Sequence, residues 1–528
     1  ARRNILSLAA SNLLEQELPF VVEDDYLRLA GTSMAAPHVA GAVALLLAVH
    51  PEMTPPQILS HLKLTARDLG LAGTDPTTGA GLLDLYRLLS EPPLDLDLRF
   101  EEPIPGRVLD ARTGVVQTAF TAAGRDVARY SLAVAEGLRG DDFRTLEVWT
   151  EASGSIRESR WIPAPDELGT SVLRLRAELS DGRTIDAMNV VGLERIRPIR
   201  LSQGTDDETA PELDGRRVVW QAADEDVQGR STIRTGGFDP SGAALPPAAL
   251  PVAEHRTAAD PRLSGRRIVW RERDHEVAAG GPETLIGCRL RFGRRGISCR
   301  PRALAREDGR IDPYAFGQGV VAWSRRTPLF EIFGCLWRGS ASCKARPIDD
   351  SIDSGFANRV LDVDRSSVLS KTNAGGAPLR LCHFEDSSLA CRPVGVDLPS
   401  EVGPRIQNAA FDGPALALEW FTAFRSLIGY CDLDRDSGLC PLRLVEAERS
   451  ASDPDVSARR IVWTERVSTD ESWLSTCEID PVSGDCPARR ITGAPYPASH
   501  ARLVGHRLVW QDAREGAAQV FGLELPRL

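Results

Sequence analysis

Short hydrophobic segments recur along the C-terminal part of this chain of 528 residues. A typical segment reads Arg-Arg-Ile-Val-Trp, at 266–270 and again at 459–463. Such a segment is rich in β-branched residues and too short for a helix, which favours a strand. Seven copies, two of them degenerate, are found at 215–220, 265–270, 319–323, 367–370, 418–420, 459–463 and 505–510. Their spacing of about 43 to 53 residues is typical of β-propeller blades.

Each copy has room for four short strands. An Asp-Pro pair, such as Asp453-Pro454, leads into the first strand, and the Ile-Val-Trp run is the second. The last copy ends after its third strand, whereas 197–201, just before the first copy, reads as an isolated fourth strand. Because pairing these two segments would hide both sheet edges, the pattern predicts a seven-bladed propeller over 197–528, closed by the strand at 197–202.

Apolar and polar residues alternate in the region that precedes the repeats. The alternation is clear at 128–134 and 172–179, and a Ser-Asp-Gly-Arg sequence at 180–183 adds a tight-turn signal. These features predict an antiparallel β-sandwich of immunoglobulin or fibronectin type III kind over 92–196.

The longest apolar run, 39–49, is rich in alanine and glycine. It predicts a buried helix and is too short for a membrane span. Thr54 is placed to cap a second helix, whose first turn holds Pro55 and Pro56. Charges of both signs are mixed along the chain, with a net charge of −11, so no basic stripe for nucleic acid is present.

The ten cysteines fall into five close pairs within the repeats. The members of a pair are eight to eleven positions apart, whereas zinc sites use spacings of roughly two to four. Regular pairs favour disulfides across hairpins and an oxidising compartment, with buried free thiols as the alternative. The predicted disulfides are Cys288–Cys299, Cys335–Cys343, Cys382–Cys391, Cys431–Cys440 and Cys477–Cys486.

A candidate nucleophile lies near the N-terminus. Residues 31–41 read Gly-Thr-Ser-Met-Ala-Ala-Pro-His-Val-Ala-Gly, so Ser33 stands at the start of a small-residue helix. The positive end of a helix favours the oxyanion that forms when a serine attacks an acyl group. The alternative is a serine that only caps the helix.

This string resembles the nucleophile motif of the subtilisin-like serine proteases. Asn-Ile-Leu-Ser at 4–7 and Gly-Ala-Gly-Leu-Leu-Asp at 79–84 extend the resemblance to about residues 1–90. The resemblance implies a truncated α/β subtilisin-like domain over 1–91, with Ser33 as nucleophile and a polypeptide as substrate. The family order is Asp, His, Ser, so the other two triad residues and the oxyanion-hole asparagine are expected upstream of this chain.

We therefore expect this chain alone to be an incomplete enzyme. Its parent is expected to be a secreted bacterial serine endopeptidase, outside the cell or at its surface. His38 should point away from Ser33, and His50 and His61 are expected at helix ends or on surfaces. The predicted fold class is multidomain: a truncated α/β subtilisin-like remnant, a β-sandwich and an all-β propeller of seven blades.

A second function stays open, in which the sandwich and propeller form a non-catalytic extracellular module that binds a protein or a glycan. The tryptophans that end the second strands resemble a lectin ladder, although their regular position favours packing inside each blade. Asp432, Asp434 and Asp436 resemble a calcium loop, but no glutamate follows at the expected place, so an ordinary turn is favoured. The sequence indicates no other metal and no cofactor.

Overall fold

The computed structural model describes residues 5–8, 21–22, 26–69, 74, 78–137, 142–163, 169–194, 196, 198–224, 226–275, 281–293, 296–326, 330–337, 343–348, 359–364, 367–372, 378–384, 391–400, 402, 405–467, 471–493, 496–514 and 516–525. The chain divides into two compact units. The first comprises Ala1–Pro105, Gly114–Ala164 and Ser171–Val191, and the second comprises Gly106–Thr113, Pro165–Thr170 and Gly192–Leu528. The domain boundaries after residues 91 and 196 stay predictions.

The described part of the first unit begins with a small sheet and three helices. Strands β1 (Ile5–Leu8), β2 (Val21–Val22) and β3 (Tyr26–Leu29) lie in the order β1-β3-β2. The helices are α1 (Thr32–Val49), α2 (Pro55–Thr65) and α3 (Leu85–Ser90). Thr54 caps α2 as predicted: its backbone N–H donates to the Gln57 side-chain oxygen at 2.9 Å, and Pro55 lies in the first turn.

Helix α1 packs along one side only. Its buried residues, Ala42 and Leu46, contact Met53, Ile58 and Leu88. Val39, Leu45 and Val49 of α1 are 41 to 59% exposed, so the prediction of a buried helix is wrong for much of its surface. Helix α1 is longer than the apolar run at 39–49, which alone is too short for a membrane span. Within the described residues it is the one helix whose length and apolar composition would allow it to cross a membrane. Core helices of soluble proteins and signal sequences have the same properties.

Two sheets follow the helices. Their strands are β4 (Leu96–Glu102), β5 (Val108–Asp110), β6 (Val116–Gly124), β7 (Val127–Glu136), β8 (Arg144–Trp149), β9 (Ser153–Trp161), β10 (Gly169–Leu179) and β11 (Thr184–Glu194). The sheet orders are β4-β6-β9 and β5-β11-β10-β7-β8, with β5 pairing in parallel to the last residues of β11. Phe120 of the first sheet shares one core with Tyr130 and Leu175 of the other. This is a two-sheet core, and its immunoglobulin or fibronectin kind stays a prediction.

The described part of the second unit contains seven sheets of four strands. Sheet 1 has β13 (Glu208–Asp214), β14 (Arg217–Ala223), β15 (Ser231–Phe238) and β16 (Ala244–Ala249). Sheet 2 has β17 (Arg256–Ser264), β18 (Arg267–Asp274), β19 (Glu283–Arg289) and β22 (Arg302–Glu307), with a hairpin of β20 (Arg291–Gly293) and β21 (Gly296–Ser298) inserted. Sheet 3 has β23 (Ile311–Gly317), β24 (Val320–Arg326), β25 (Phe330–Leu336) and β26 (Arg346–Pro347).

The remaining sheets repeat this arrangement. Sheet 4 has β27 (Arg359–Asp364), β28 (Ser367–Lys371), β29 (Leu379–Phe384) and β30 (Cys391–Gly395). Sheet 5 has β31 (Ile406–Asp412), β32 (Ala415–Phe421), β33 (Ser426–Asp432) and β34 (Arg443–Leu444). Sheet 6 has β35 (Ser450–Ser457), β36 (Arg460–Arg466), β37 (Ser472–Glu478) and β38 (Arg489–Arg490). Sheet 7 has β39 (Ser499–Val504), β40 (Arg507–Asp512), β41 (Gln519–Glu524) and β12 (Ile199–Arg200).

Sheet 7 combines the two ends of the repeat region. Strand β12 pairs antiparallel with β41, with Ile199 opposite Gly522 and Arg200 opposite Phe521, as predicted for the strand at 197–202. The first strand of each sheet contacts the first strand of the next, and β39 contacts β13. The first strands of the described sheets therefore form a closed series.

Buried tryptophans occupy the second strands. Fully buried in this position are Trp220, Trp270, Trp323, Trp463 and Trp510. Each indole N–H donates to a carboxylate, for example Trp463 to Glu465 at 3.1 Å and Trp510 to Asp512 at 2.9 Å. The packing interpretation is confirmed, and a sugar-stacking ladder is excluded for these five because their faces are covered.

Candidate active site at the start of helix α1

Ser33 is positioned by a strand, a glycine and a helix in succession. Strand β3 ends at Leu29, Gly31 precedes the helix, and Ser33 is the second residue of α1. Gly31 has a φ of 154°, which favours glycine and allows the chain to turn into the helix. The Ser33 side chain is exposed. Its hydroxyl is therefore accessible at the N-terminal end of a helix of 18 residues.

The backbone around Ser33 is suited to stabilising negative charge. The first N–H groups of a helix have no partner within it and carry its positive end. A carbonyl group held at the Ser33 hydroxyl would meet an N–H donor as its oxygen becomes an oxyanion.

His38 does not contact the candidate nucleophile. Its Nδ1 lies 3.0 Å from the carbonyl oxygen of Met34, one turn earlier in α1. Among the described residues, the Ser33 hydroxyl makes no hydrogen bond. The contact of His38 supports the structural role expected for it, and no base for Ser33 is found within the described part of the chain.

The next two histidines differ in their surroundings. His50 follows the last residue of α1, and its Nδ1 lies 3.7 Å from Glu52 Oε1. His61 is fully buried, with Nε2 3.0 Å from the Leu88 carbonyl oxygen. Burial lowers the pKa of His61, opposed by its bond to Leu88. The prediction for His61 is therefore wrong, because it lies on the side of α2 that faces α3.

The turn at 79–84 fastens the chain beside α3. Arg67 and Leu82 exchange two backbone hydrogen bonds of 2.8 and 2.9 Å. A Cβ on Gly81 would lie 2.4 Å from the Arg67 carbonyl oxygen, so a side chain there requires the backbone to shift. Asp84 caps α3 by accepting the Arg87 N–H at 3.0 Å.

Residues 9–81 match the model of the Subtilase family. The chain is 40% identical over 84 residues to the extracellular serine protease of Serratia marcescens, covering 15% of this chain and 8% of that protein. Fervidolysin of Fervidobacterium pennivorans is 50% identical over 62 residues, which is 12% of this chain and 9% of its own length. Halolysin of Haloferax mediterranei is 41% identical over 71 residues, 13% of each chain. The chain thus spans between 8 and 13% of these relatives.

The solved structures that are similar to this chain share little sequence with it. An uncharacterised protein from Listeria monocytogenes aligns with 60% of this chain and 91% of its own, at 11% identity and a TM-score of 0.37. Oligopeptidase B from Leishmania major aligns with 60% of this chain and 48% of its own, at 10% identity and a TM-score of 0.37.

Disulfides join the third strand of a sheet to the segment that follows it. Those present are Cys288–Cys299, Cys335–Cys343, Cys431–Cys440 and Cys477–Cys486, with Cα atoms 5.1 to 5.8 Å apart. The fifth predicted pair, Cys382–Cys391, includes a side chain outside the described residues. The described pairs lie in sheets 2, 3, 5 and 6.

The calcium candidate forms an ordinary turn. Asp434 Oδ1 accepts the backbone N–H groups of Asp436 at 3.0 Å and Ser437 at 3.3 Å. Hydrogen bonds from the Ser437 side chain and these N–H groups lower the pKa of Asp434. Across the described ranges, no three His, Cys, Asp or Glu side chains are grouped to hold a metal ion. The turn accounts for the contacts of Asp434, and the calcium candidate at Asp432, Asp434 and Asp436 stays a prediction.

A second candidate site, which the sequence reasoning missed, is a cavity of about 410 Å³ in the second unit. In each of the seven sheets the pairing between the first and second strands shifts register once. The first-strand residue at which pairing resumes after the shift lines this cavity. These cavity residues, one per sheet, are Glu212, Arg262, Tyr314, Asp362, Asn408, Asp455 and Arg502. In sheets 1, 2, 3 and 6 a proline, which cannot donate to the ladder, stands just before the cavity residue. These prolines, three of which belong to Asp-Pro pairs, were therefore the available signal.

Proposed function

We propose that this chain supplies the nucleophile of a secreted subtilisin-like serine endopeptidase. Ser33 attacks the substrate, while the aspartate, the histidine and the oxyanion-hole asparagine come from sequence outside the chain. The supporting observation is the exposed hydroxyl of Ser33 at the N-terminus of α1, inside the segment that matches the Subtilase family.

In the proposed reaction, the Ser33 oxygen forms a bond to the carbonyl carbon of a peptide, and its proton passes to the histidine. The resulting oxyanion accepts the Ser33 backbone N–H. Collapse of the intermediate breaks the C–N bond, and the histidine returns the proton to the leaving amine. Water then attacks the acyl-enzyme in the same way and releases the carboxylic acid, which regenerates the Ser33 hydroxyl.

Export outside the cell or to its surface is part of this proposal. Structural disulfides persist in oxidising compartments, and the described residues contain four. The Serratia relative is itself named an extracellular protease.

A fluorophosphonate probe tests the nucleophile. The whole protein should be labelled at Ser33, Ser33→Ala should abolish labelling, and Ser437→Ala, an exposed serine of the second unit, should leave it unchanged. This chain alone should be labelled weakly because its serine lacks a base. Equal labelling of the Ser33→Ala protein, or efficient peptide hydrolysis by this chain alone, would contradict the proposal.

For the architecture, we infer a seven-bladed propeller over 197–528 and an immunoglobulin- or fibronectin-type sandwich over 92–196. The propeller is supported by the seven four-stranded sheets in the described second unit, the closed series of first strands and the pairing of β12 with β41. The sandwich is supported by the core that the two sheets share.

A non-catalytic binding role in the extracellular space is the second candidate, favoured by the charged cavity of the second unit. The coding sequence upstream of this chain distinguishes the two functions. Asp-(Ser/Thr)-Gly and His-Gly-Thr segments are expected there for a peptidase, and their absence would favour a module that binds a protein or a glycan.

A further inference from the structure

The cavity of the second unit has one side on which charges are balanced. Sheets 7, 1 and 2 contribute Arg502, Glu212 and Arg262 to its wall. Arg262 Nη1 donates to Glu212 Oε2 at 3.0 Å, and Arg502 Nε lies 3.6 Å from the same oxygen. Arg502 Nη1 lies 3.5 Å from Asp453 Oδ1. Because both guanidinium groups already face carboxylates, this side of the cavity does not attract an anion.

Over the whole cavity negative charge is in excess, because the lining has five carboxylates and three guanidinium groups: Glu212, Asp362, Glu419, Asp453 and Asp455 against Arg262, Arg359 and Arg502. Sheets 4, 5 and 6 contribute Asp362, Asn408 and Asp455. Each of the two carboxylates accepts two backbone N–H bonds, 2.6 to 3.0 Å long, which orient it without neutralising it. Within the described residues neither carboxylate forms an ion pair. Arg502 attracts both carboxylates but forms no ion pair with either, so a second cation in the cavity would be attracted to them as well.

The protonation of these two carboxylates reflects the same imbalance. Burial raises the pKa of Asp455 to about 7, opposed by Arg502 and the Leu503 N–H and reinforced by Asp362. Burial also raises the pKa of Asp362 to about 6, opposed by backbone N–H bonds. The other charged or titratable groups that line the cavity or lie beside it are Glu212, Arg262, Tyr314, Arg359, Glu419, Asp453, His500 and Arg502. Burial lowers the pKa of His500, and the charge of Asp453 opposes that change.

We propose that this cavity binds a small organic cation, whose ammonium or guanidinium group is held by Asp362, Asn408 and Asp455. The N–H donors of such a group form charge-assisted hydrogen bonds with carboxylates and supply the missing positive charge. The volume of about 410 Å³ lies in the range of small-molecule sites, about 300 to 1,000 Å³. An organic cation fits better than a metal ion, because the described side chains form no group of three metal ligands. Binding of this kind is independent of the proposed peptidase activity.

Isothermal titration calorimetry on the full chain tests this site, with putrescine as a free amine and a Gly-Lys-Gly peptide as a source of a lysine side chain. At pH 8 at least one of them should bind, and sodium acetate should not. Asp455→Asn and Asp362→Asn should each weaken binding about tenfold, because each removes one charge-assisted contact. The control Asp436→Asn, in an exposed turn outside the cavity, should bind as the wild type does.

A pH series on the unmodified protein gives a readout that does not depend on a variant folding. Cation binding should release protons from Asp455 and Asp362, and affinity should fall at least tenfold from pH 8 to pH 5.5 or so. Tighter binding of the peptide than of putrescine identifies a polypeptide side chain as the preferred source, and the reverse identifies a free amine. Failure of both to bind at about 10 mM, or binding that both asparagine variants retain while folded, would overturn the proposal.

Discussion

Arg514 joins two buried carboxylates in the second unit, and removing it should be costly. Its Nη1 lies 2.8 Å from Glu194 Oε2, its Nη2 lies 2.6 Å from Asp512 Oδ2, and the three side chains are at most 8% exposed. Glu194 ends β11 and Asp512 ends β40, so the arginine ties the segment before sheet 1 to sheet 7. Burial raises the pKa of Glu194, and the charge of Arg514 opposes that rise.

Arg514→Met removes the cation and keeps an apolar side chain in its place. Breaking a buried pair by deleting one partner lowers the free energy of unfolding by about 3–5 kcal/mol, and we expect a loss of that size at pH 8. In the variant the folded-state pKa of Glu194, which burial already raises, should rise further because the opposing charge of Arg514 is gone. Proton uptake then favours folding at low pH, so the loss at pH 5 should be smaller by about 1–2 kcal/mol, at roughly 1.4 kcal/mol per pKa unit.

Urea unfolding at both pH values, followed by tryptophan fluorescence, measures these losses, since Trp510 donates to Asp512. The matched control is Arg507→Met, because Arg507 pairs with a Glu524 side chain that is 38% exposed. Its loss should stay below about 1 kcal/mol at either pH. A loss for Arg514→Met equal to that of the control, or independent of pH, would refute the reasoning.

Two further predictions concern the sheets of the second unit. Trp463→Phe deletes the donor to Glu465 and leaves a small void, so the free energy of unfolding in urea should fall by about 2–4 kcal/mol; a change under about 0.5 kcal/mol would argue against that bond. Peptide mapping without reduction should recover Cys431 linked to Cys440 and Cys477 linked to Cys486, each within one short peptide. Recovery of these cysteines as alkylated free thiols from the native source would contradict the export proposal.

Local patterns along the chain were sufficient to predict the elements of the repeat region. The Ile-Val-Trp runs became second strands because β-branched residues ending in a large aromatic suit a strand buried on both faces, as Trp270 and Trp463 are. The strand near Ile199 was found because the last copy lacked a partner for its third strand. The cysteine spacing also predicted disulfides from local sequence, because a hairpin brings together residues that are eight to eleven positions apart.

What the sequence did not predict depends on packing between distant elements. His61 lies in the middle of α2, and its burial follows from the approach of α3, which no local pattern encodes. The cavity was missed for a related reason. Arg262 and Asp455 are polar residues after a proline, which alone suggests an exposed strand end. Only the register of each first strand shows that they face one common space.

The pairing of β12 with β41 has a consequence for how the second unit is completed during synthesis. Ile199 is translated more than three hundred residues before Phe521 and Gly522, yet these residues belong to one sheet. A nascent chain that stops short of Gln519 leaves β12 without its partner and β40 with an open edge. Such an unfinished product would present two unpaired edges to proteases and to neighbouring chains, whereas the finished one hides both. Strand β41 thus distinguishes molecules in which sheet 7 is fully paired from those in which it is not.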